Sequence, residues 1–142
     1  MNKTPDSDDR YDAEIRAAGL RVTRQRRVIM QVLSASNDHP DVPELHRRVC
    51  LQEASVSLAT VYRTLAALTE KGVVQRLSFE GTGARFETND TPHHDHIVDI
   101  ESGAVTEFVS AEIERLQHDI ARAHGYEIIS HRLELYCRKA KT

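Results

Sequence analysis

The chain has 142 residues, of which 29% are charged and 39% hydrophobic, and its formal net charge is −3. No stretch approaches the roughly 20 apolar residues that span a bilayer, and the acid-rich start does not resemble a targeting segment, so we expect a soluble cytoplasmic protein without a membrane partner. Two isolated cysteines argue against a disulfide or cysteine-zinc scaffold, and the mild acidity argues at first sight against a nucleic-acid partner.

Capping residues and apolar spacing predict four helices in the first part of the chain. They cover about residues 8–18, 23–33, 41–52 and 57–71, with N-caps at Asp8 or Asp9, Thr23, Asp41 and Ser57. Gly72 is expected to end the fourth helix. The apolar stripe of that helix, which we expect to be buried, consists of Leu58, Val61, Leu65 and Leu68.

Two β-like runs, residues 73–79 and 84–88, follow the helices and are predicted to form a hairpin. Helices followed by a hairpin are the order of a winged helix-turn-helix DNA-binding domain, which we assign to residues 1–88. The polar segment 89–92, which ends in Pro92, is predicted to be a hinge.

Residues 93–142 are predicted to form a second, smaller αβ domain. We expect strands at 94–100 and 104–108, a helix from the cap Ser110 to about His124, and a last strand at 126–137. One face of the helix would carry Ile113, Leu116, Gln117, Ile120 and His124. The predicted fold class is therefore α+β, with a winged helix-turn-helix domain and a C-terminal αβ domain.

The fourth helix has the side chains that a DNA-reading helix needs. Such a helix enters the major groove when its outer face carries small and hydrogen-bonding residues. Ala59, Thr60 and Arg63 lie on that face, and Tyr62 lies at its edge. The periodicity alone also allows an ordinary amphipathic helix with a solvated arginine.

Basic and acidic side chains are unevenly distributed along the chain, so the negative net charge does not exclude a nucleic-acid partner. Residues 1–88 contain 13 basic and 12 acidic side chains, whereas residues 89–142 contain 6 and 10. Five arginines and no acid lie within residues 16–27, a pattern that can neutralise phosphates or enter a narrow minor groove. On its own, such a run is usually a solvated face.

Residues 93–96, His-His-Asp-His, are four consecutive residues of metal-ligand type. In an extended strand, His94 and His96 would point to one side and His93 and Asp95 to the other, so one strand could supply two sites. A divalent first-row metal needs further nitrogen or oxygen ligands at each site. The candidates are His39, Glu87, Glu107, Glu114 and His131. A polar loop is the alternative for residues 93–96, and a core position is the alternative for His131 on its predicted strand.

The sequence resembles the ferric uptake regulator family of bacterial metal-sensing repressors from about Ala18 to Tyr136. The similarity is carried by the segments GLRVTRQRRVIMQVL, SLATVYRTLAALTEKGVVQR, GARFE and HHDHIVDIESGAVTEF. The sequence is most similar to the iron-responsive members, including those of alphaproteobacterial type.

This resemblance implies a homodimer whose second domain mediates dimerisation. It implies that metal bound at the hinge fixes the two DNA-binding domains on double-stranded DNA with an AT-rich inverted repeat. The implied regulatory site consists of His39, Glu87, His94, His96 and Glu107, and the implied second site of His93, Asp95, Glu114 and His131. The implied DNA contacts are Arg21 in the minor groove, and Tyr62 and Arg63 in the major groove.

The chain departs from the family pattern where many members hold a structural zinc with two CxxC pairs. The first pair would fall at Asp99 and Ser102, so we expect no structural zinc. The cysteines of zinc-sensing members and the Cys-Pro motif of haem-responsive members are absent, and Glu87 stands where peroxide-sensing members typically carry aspartate. Fe(II) or Mn(II) remains as the expected cellular metal, and Zn(II) could also bind in vitro.

The expected function is metal-dependent regulation, mainly repression, of metal uptake and homeostasis genes. A manganese-responsive regulator of the same family is the alternative. A small metalloenzyme using residues 93–96 is the rival class, but it needs an open coordination position and a nearby base or nucleophile. The sequence offers neither an HExxH-type helix nor a dedicated nucleophile.

Overall fold

The structure is a computed structural model that describes residues 7–81, 83–89 and 92–141, with side chains from Arg10 onward. The first helix begins at Ser7, so Asp8 and Asp9 lie inside it and the prediction that one of them is its N-cap was wrong. Two residues of the predicted hinge lie outside the described ranges. The chain divides into two compact units, Met1–Thr91 and Pro92–Thr142. No helix within the described ranges is long and apolar enough to cross a membrane.

The first unit contains four helices followed by a two-stranded hairpin, as predicted for a winged helix-turn-helix domain. The elements are α1 (Ser7–Ala17), α2 (Arg24–Ala35), α3 (Val42–Cys50), α4 (Leu58–Glu70), β1 (Val74–Leu77) and β2 (Arg85–Thr88). Thr23, Asp41 and Ser57 cap α2, α3 and α4, because each side chain accepts the backbone N–H three residues later. The strands pair antiparallel, with Val74 opposite Thr88.

Apolar side chains from the helices and the hairpin form the core of the first unit. Val61, Leu65 and Leu68 of α4 are fully buried there. The prediction that Leu58 shares this burial was wrong, since its side chain is 39% exposed. Leu58 is the first residue of α4, so it lies at the end of the apolar stripe, and Thr64, six residues further along, is buried.

The second unit contains a three-stranded sheet and one helix. Its elements are β3 (Asp95–Asp99), β4 (Val105–Phe108), α5 (Ala111–Ala123) and β5 (Glu134–Cys137). The strand order is β4-β3-β5, with β4 antiparallel and β5 parallel to the central strand β3. Ser110 caps α5 as predicted, by accepting the N–H of Ile113. The two units together give the α+β class expected from the sequence.

The last strand is much shorter than predicted. It covers only Glu134–Cys137 instead of 126–137, because β5 pairs with β3 and that pairing begins at His96 opposite Glu134. One residue before Glu134, the Leu133 carbonyl accepts the N–H of His96 at 3.2 Å. Asp95, the residue before His96, is already the first residue of β3. His131 therefore lies in the loop before β5, and the strand face predicted for it was wrong.

The helix α5 has an apolar face that the chain itself does not cover. No described residue of α5 is buried, and the side chains of Leu116 and Ile120 are 60% and 53% exposed. These two residues lie four apart and thus on one side of the helix. Isolated exposed leucines are common, but an unburied apolar helix face suggests a protein partner.

Candidate metal centres and DNA-reading face

The first unit brings two predicted ligands together, which we call the N-terminal ligand pair, His39 and Glu87. His39 lies just before the cap of α3, and its side chain is 2% exposed. Glu87 lies on β2, and its Oε2 atom is 3.8 Å from Nδ1 of His39. One imidazole and one carboxylate therefore converge at the base of the wing hairpin.

The second unit brings together the strand ligand group, which consists of His94, His96 and Glu107. Nε2 of His94 lies 3.4 Å from Oε1 of Glu107, and the two imidazole rings are 4.8 Å apart between centroids. Glu107 stands opposite His96 in the β3–β4 register. Nδ1 of His94 is 2.9 Å from the Pro92 carbonyl oxygen. Because a carbonyl only accepts, Nδ1 must donate, and in the neutral ring Nε2 then carries the lone pair that a metal requires.

A third group, the His93 cluster, consists of His93, Asp95, Glu114 and His131, all in the second unit. Nε2 of His93 lies 3.0 Å from Nε2 of His131 and 3.3 Å from Oδ1 of Asp95, and His131 Nε2 lies 3.4 Å from the same oxygen. Two ligand atoms held about 2.0–2.2 Å from one metal lie about 2.8–3.6 Å apart in tetrahedral or octahedral geometry. The three side chains thus have the spacing of ligands around one ion.

The buried carboxylate of Asp95 supports this reading. The Asp95 side chain is 2% exposed, and its Oδ1 atom accepts no hydrogen bond from the described residues. A buried carboxylate oxygen that accepts no hydrogen bond is costly unless a cation compensates it. Glu114, in the first turn of α5, places a second carboxylate oxygen 3.8 Å from His93 Nε2, slightly outside the ligand spacing. The donor set of imidazoles and carboxylates fits divalent first-row metals such as Fe(II), Mn(II) and Zn(II).

The run 93–96 is divided between the last two groups. His93 and Asp95 lie together, and His94 and His96 lie together, which is the arrangement that strand alternation predicts. Metal binding at these groups remains a prediction. The N-terminal ligand pair belongs to the first unit and the strand ligand group to the second.

The outer face of α4 carries the predicted DNA-reading residues. Ala59, Tyr62 and Arg63 are exposed, and Thr60 is half-buried. The Thr60 hydroxyl lies 2.8 Å from that of Ser57 and accepts from Nη2 of Arg63 at 3.3 Å, so the helix cap also orients the guanidinium. Beside them, a concavity of about 290 Å³ is lined by Thr23, Gln25, Arg26, Thr60, Arg63, Thr64 and Ala67. Polar and cationic lining of this kind suits a phosphodiester backbone.

Two of the five arginines in the basic stretch 16–27 form ion pairs with carboxylates in the folded unit. Arg24 pairs with Glu53 at 2.5 Å, and Arg27 donates two hydrogen bonds of 2.9 Å to Asp12. The Arg27 guanidinium holds the pKa of the Asp12 carboxyl below its usual value. Arg21, the predicted minor-groove residue, is exposed before α2, and its backbone carbonyl accepts from the guanidinium of Arg26.

One residue near the predicted ligands is not singled out by any motif of the sequence. Arg85 is buried at the start of β2, and its guanidinium donates to the carbonyl of His39. The only signal in the sequence is its position two residues before Glu87, which places both on one side of the strand.

A winged helix-turn-helix unit in one chain with an αβ unit rich in imidazole and carboxylate ligands defines the class of metal-responsive DNA-binding regulators. The chain belongs to the ferric uptake regulator family, whose family model matches residues 17–136. The ferric uptake regulation protein of Brucella abortus is 50% identical over 142 residues, which is the full length of both chains.

Solved structures of relatives share the fold. A zinc-bound manganese uptake regulator is 45% identical, with a TM-score of 0.80 over 92% of this chain and 98% of that one. The ferric uptake regulator from Pseudomonas aeruginosa with manganese is 41% identical, with a TM-score of 0.75 and the same coverage.

Proposed function

We propose that this protein is a metal-dependent transcriptional regulator, mainly a repressor, of metal uptake and homeostasis genes in the bacterial cytoplasm. The observation that carries this function is the division of residues 93–96 between two ligand groups in a chain whose first unit is a winged helix. The domains are residues 1–88 for DNA binding, 89–92 as a hinge, and 93–142 for metal binding and dimerisation. The DNA partner is an AT-rich inverted repeat, which suits a two-fold symmetric dimer.

The regulatory metal joins the N-terminal ligand pair to the strand ligand group, and the His93 cluster forms the second site. A metal held by both units favours the arrangement that binds DNA over looser ones. Metal and DNA affinities are then reciprocally coupled, typically by about 1–3 kcal/mol, which changes DNA affinity about 5- to 150-fold. Because imidazole must be neutral to bind metal, this response weakens as the pH falls.

The cellular metal is Fe(II), with Mn(II) as the alternative. All nine proposed ligands are imidazoles or carboxylates, which serve both ions and also accept Zn(II) in vitro. The relatives described above with zinc and with manganese support this range of metals. A four-cysteine zinc site cannot form within one chain, since the sequence has two cysteines.

The test is an anaerobic titration with Fe(II) and Mn(II), read out as binding to a duplex with an AT-rich inverted repeat. We expect metal to raise the affinity for that duplex and to leave binding to a scrambled duplex of equal composition nearly unchanged. Metal binding without any effect on DNA affinity would contradict the proposal and would favour the metalloenzyme alternative.

We expect the exposed apolar face of α5 to form the homodimer interface. Glutamate at both Leu116 and Ile120 would place charge in a contact that should be apolar, so we expect the dimer dissociation constant to rise by about a hundredfold or more. Sedimentation equilibrium measures the change. His118→Glu, on the opposite side of the same helix, is the control and should remain dimeric. An unchanged mass for the double variant would place the interface elsewhere.

A further inference from the structure

His39 has a backbone conformation that its own chemistry does not favour. Its φ angle is +49°, and among the described residues it is the only non-glycine residue with a positive φ. Such a conformation is uncommon for residues with a Cβ atom and persists where the surroundings impose it. Pro40 follows directly and disfavours the right-handed helical alternative. The ring orientation of this proposed ligand therefore depends on what holds its backbone.

Arg85 provides two of the contacts that hold this segment. Its guanidinium donates to the carbonyl oxygen of His39, and its backbone forms an antiparallel bridge with Asp41. Arg85 is itself buried, so its side chain reaches His39 from inside the unit. Asp41 caps α3, so the bridge also fixes the start of that helix. The segment 39–41 is thus attached to the first residue of β2.

The same strand places the other member of the N-terminal ligand pair. Arg85 and Glu87 are two residues apart on β2 and so lie on one side of it. Arg85 therefore holds the backbone of His39, while the carboxylate of Glu87 lies beside the His39 ring. Oε2 of Glu87 is 3.8 Å from Nδ1 of His39. A four-residue strand thereby determines the relative position of two ligands that are 48 residues apart in sequence.

We propose that Arg85 is the positioning residue of the N-terminal ligand pair, and that it sets the affinity of the regulatory site for divalent metal by holding His39 in its left-handed conformation. This inference rests on the function proposed above. A buried cation near a metal site repels the metal, so removal of Arg85 should tighten metal binding if charge alone mattered. If Arg85 instead positions His39, its removal should weaken metal binding, because a His39 that is no longer held must be ordered again each time a metal binds.

The test uses the full-length protein with His131→Ala, which disables the His93 cluster and leaves one class of site. In this background, Mn(II) binding is measured by equilibrium titration for Arg85→Met, Arg85→Lys and Arg76→Met. We expect Arg85→Met to weaken Mn(II) binding about tenfold and Arg85→Lys, which keeps a donor, to recover part of the loss. Arg76 is exposed on the paired strand β1, so Arg76→Met removes the same charge and should leave the affinity unchanged.

A second readout does not involve metal. In the metal-free protein, Arg85→Met should speed amide hydrogen exchange at His39 and Asp41, while exchange in the α4 core stays slow. Unchanged or tighter Mn(II) binding by Arg85→Met would overturn the inference. If Arg85→Met does not fold, Arg85→Lys carries the test, and an affinity equal to that of the parent overturns it.

Glu87→Ala in the same background separates this inference from the proposed function. If Glu87→Ala leaves Mn(II) binding intact, the regulatory site itself is wrong and the inference fails with it. If Glu87→Ala loses Mn(II) while Arg85→Met does not, only the role of Arg85 is wrong.

Discussion

The Glu87→Ala variant is expected to bind an AT-rich inverted repeat no more tightly with Fe(II) or Mn(II) than without metal. The wild-type affinity should rise about 5- to 150-fold under the same conditions. Glu87 is the carboxylate of the N-terminal ligand pair, so its loss leaves His39 as the first unit's only member of the proposed regulatory site, while the strand ligand group stays intact. The fold should survive, because Glu87 is outside the apolar core of the first unit. Anaerobic gel-shift titration at fixed metal concentrations measures the ratio.

His96→Ala should give the same result from the other unit. Because both substitutions break one linkage, the double variant should lose no more metal stimulation than either single variant. Glu101→Ala, in the exposed turn between β3 and β4, makes the same change of charge as Glu87→Ala and is the matched control. If Glu87→Ala and His96→Ala both kept the wild-type metal dependence, the regulatory site would be assigned to the wrong residues.

The Arg63→Ala variant should lose about 1–3 kcal/mol of operator affinity while its metal affinity stays unchanged. Arg63 is exposed on α4, and its hydrogen bond to Thr60 aims the guanidinium from the start of that helix. A guanidinium that reads a base edge makes two directed hydrogen bonds, which neither alanine nor lysine reproduces. Arg63→Lys should therefore keep much of the binding to a scrambled duplex but lose preference for the operator.

Tyr62 gives an independent check of the same surface. Tyr62→Ala should weaken operator binding, and Tyr62→Phe shows how much of the loss belongs to the hydroxyl. Arg122→Ala is the matched control for Arg63→Ala, since Arg122 is an exposed arginine on α5 in the other unit. Operator affinities for the alanine variants that equal the wild-type value would show that α4 does not read DNA.

Features of the chain that depend on neighbouring residues could be predicted from the sequence. Thr23, Asp41, Ser57 and Ser110 cap their helices because a hydroxyl or carboxylate reaches the N–H three residues later whatever the rest of the fold does. The division of residues 93–96 is the one that an extended backbone predicts, which is equally local, although only Asp95 and His96 belong to β3.

Features that depend on distant partners could not be predicted. The length of β5 is set by the extent of β3, so the periodicity of residues 126–137 was misleading. The contact of Arg85 with His39 joins residues 46 apart, and no local pattern indicates it. The pairing of Arg24 with Glu53 is of the same kind, because only the fold brings α2 to the turn after α3.

The ion pairs of Arg24 and Arg27 have a consequence for the response to ionic strength. DNA binding releases about 0.9 of a condensed counterion for each phosphate that a free cation neutralises. An arginine already compensated by a carboxylate brings no net charge to that exchange. In a dimer, four of the ten arginines in the two stretches 16–27 are compensated in this way. Between dilute and concentrated salt, the affinity for DNA should therefore fall by less than the number of arginines suggests. The direct contacts of α4 then contribute a larger share of that affinity.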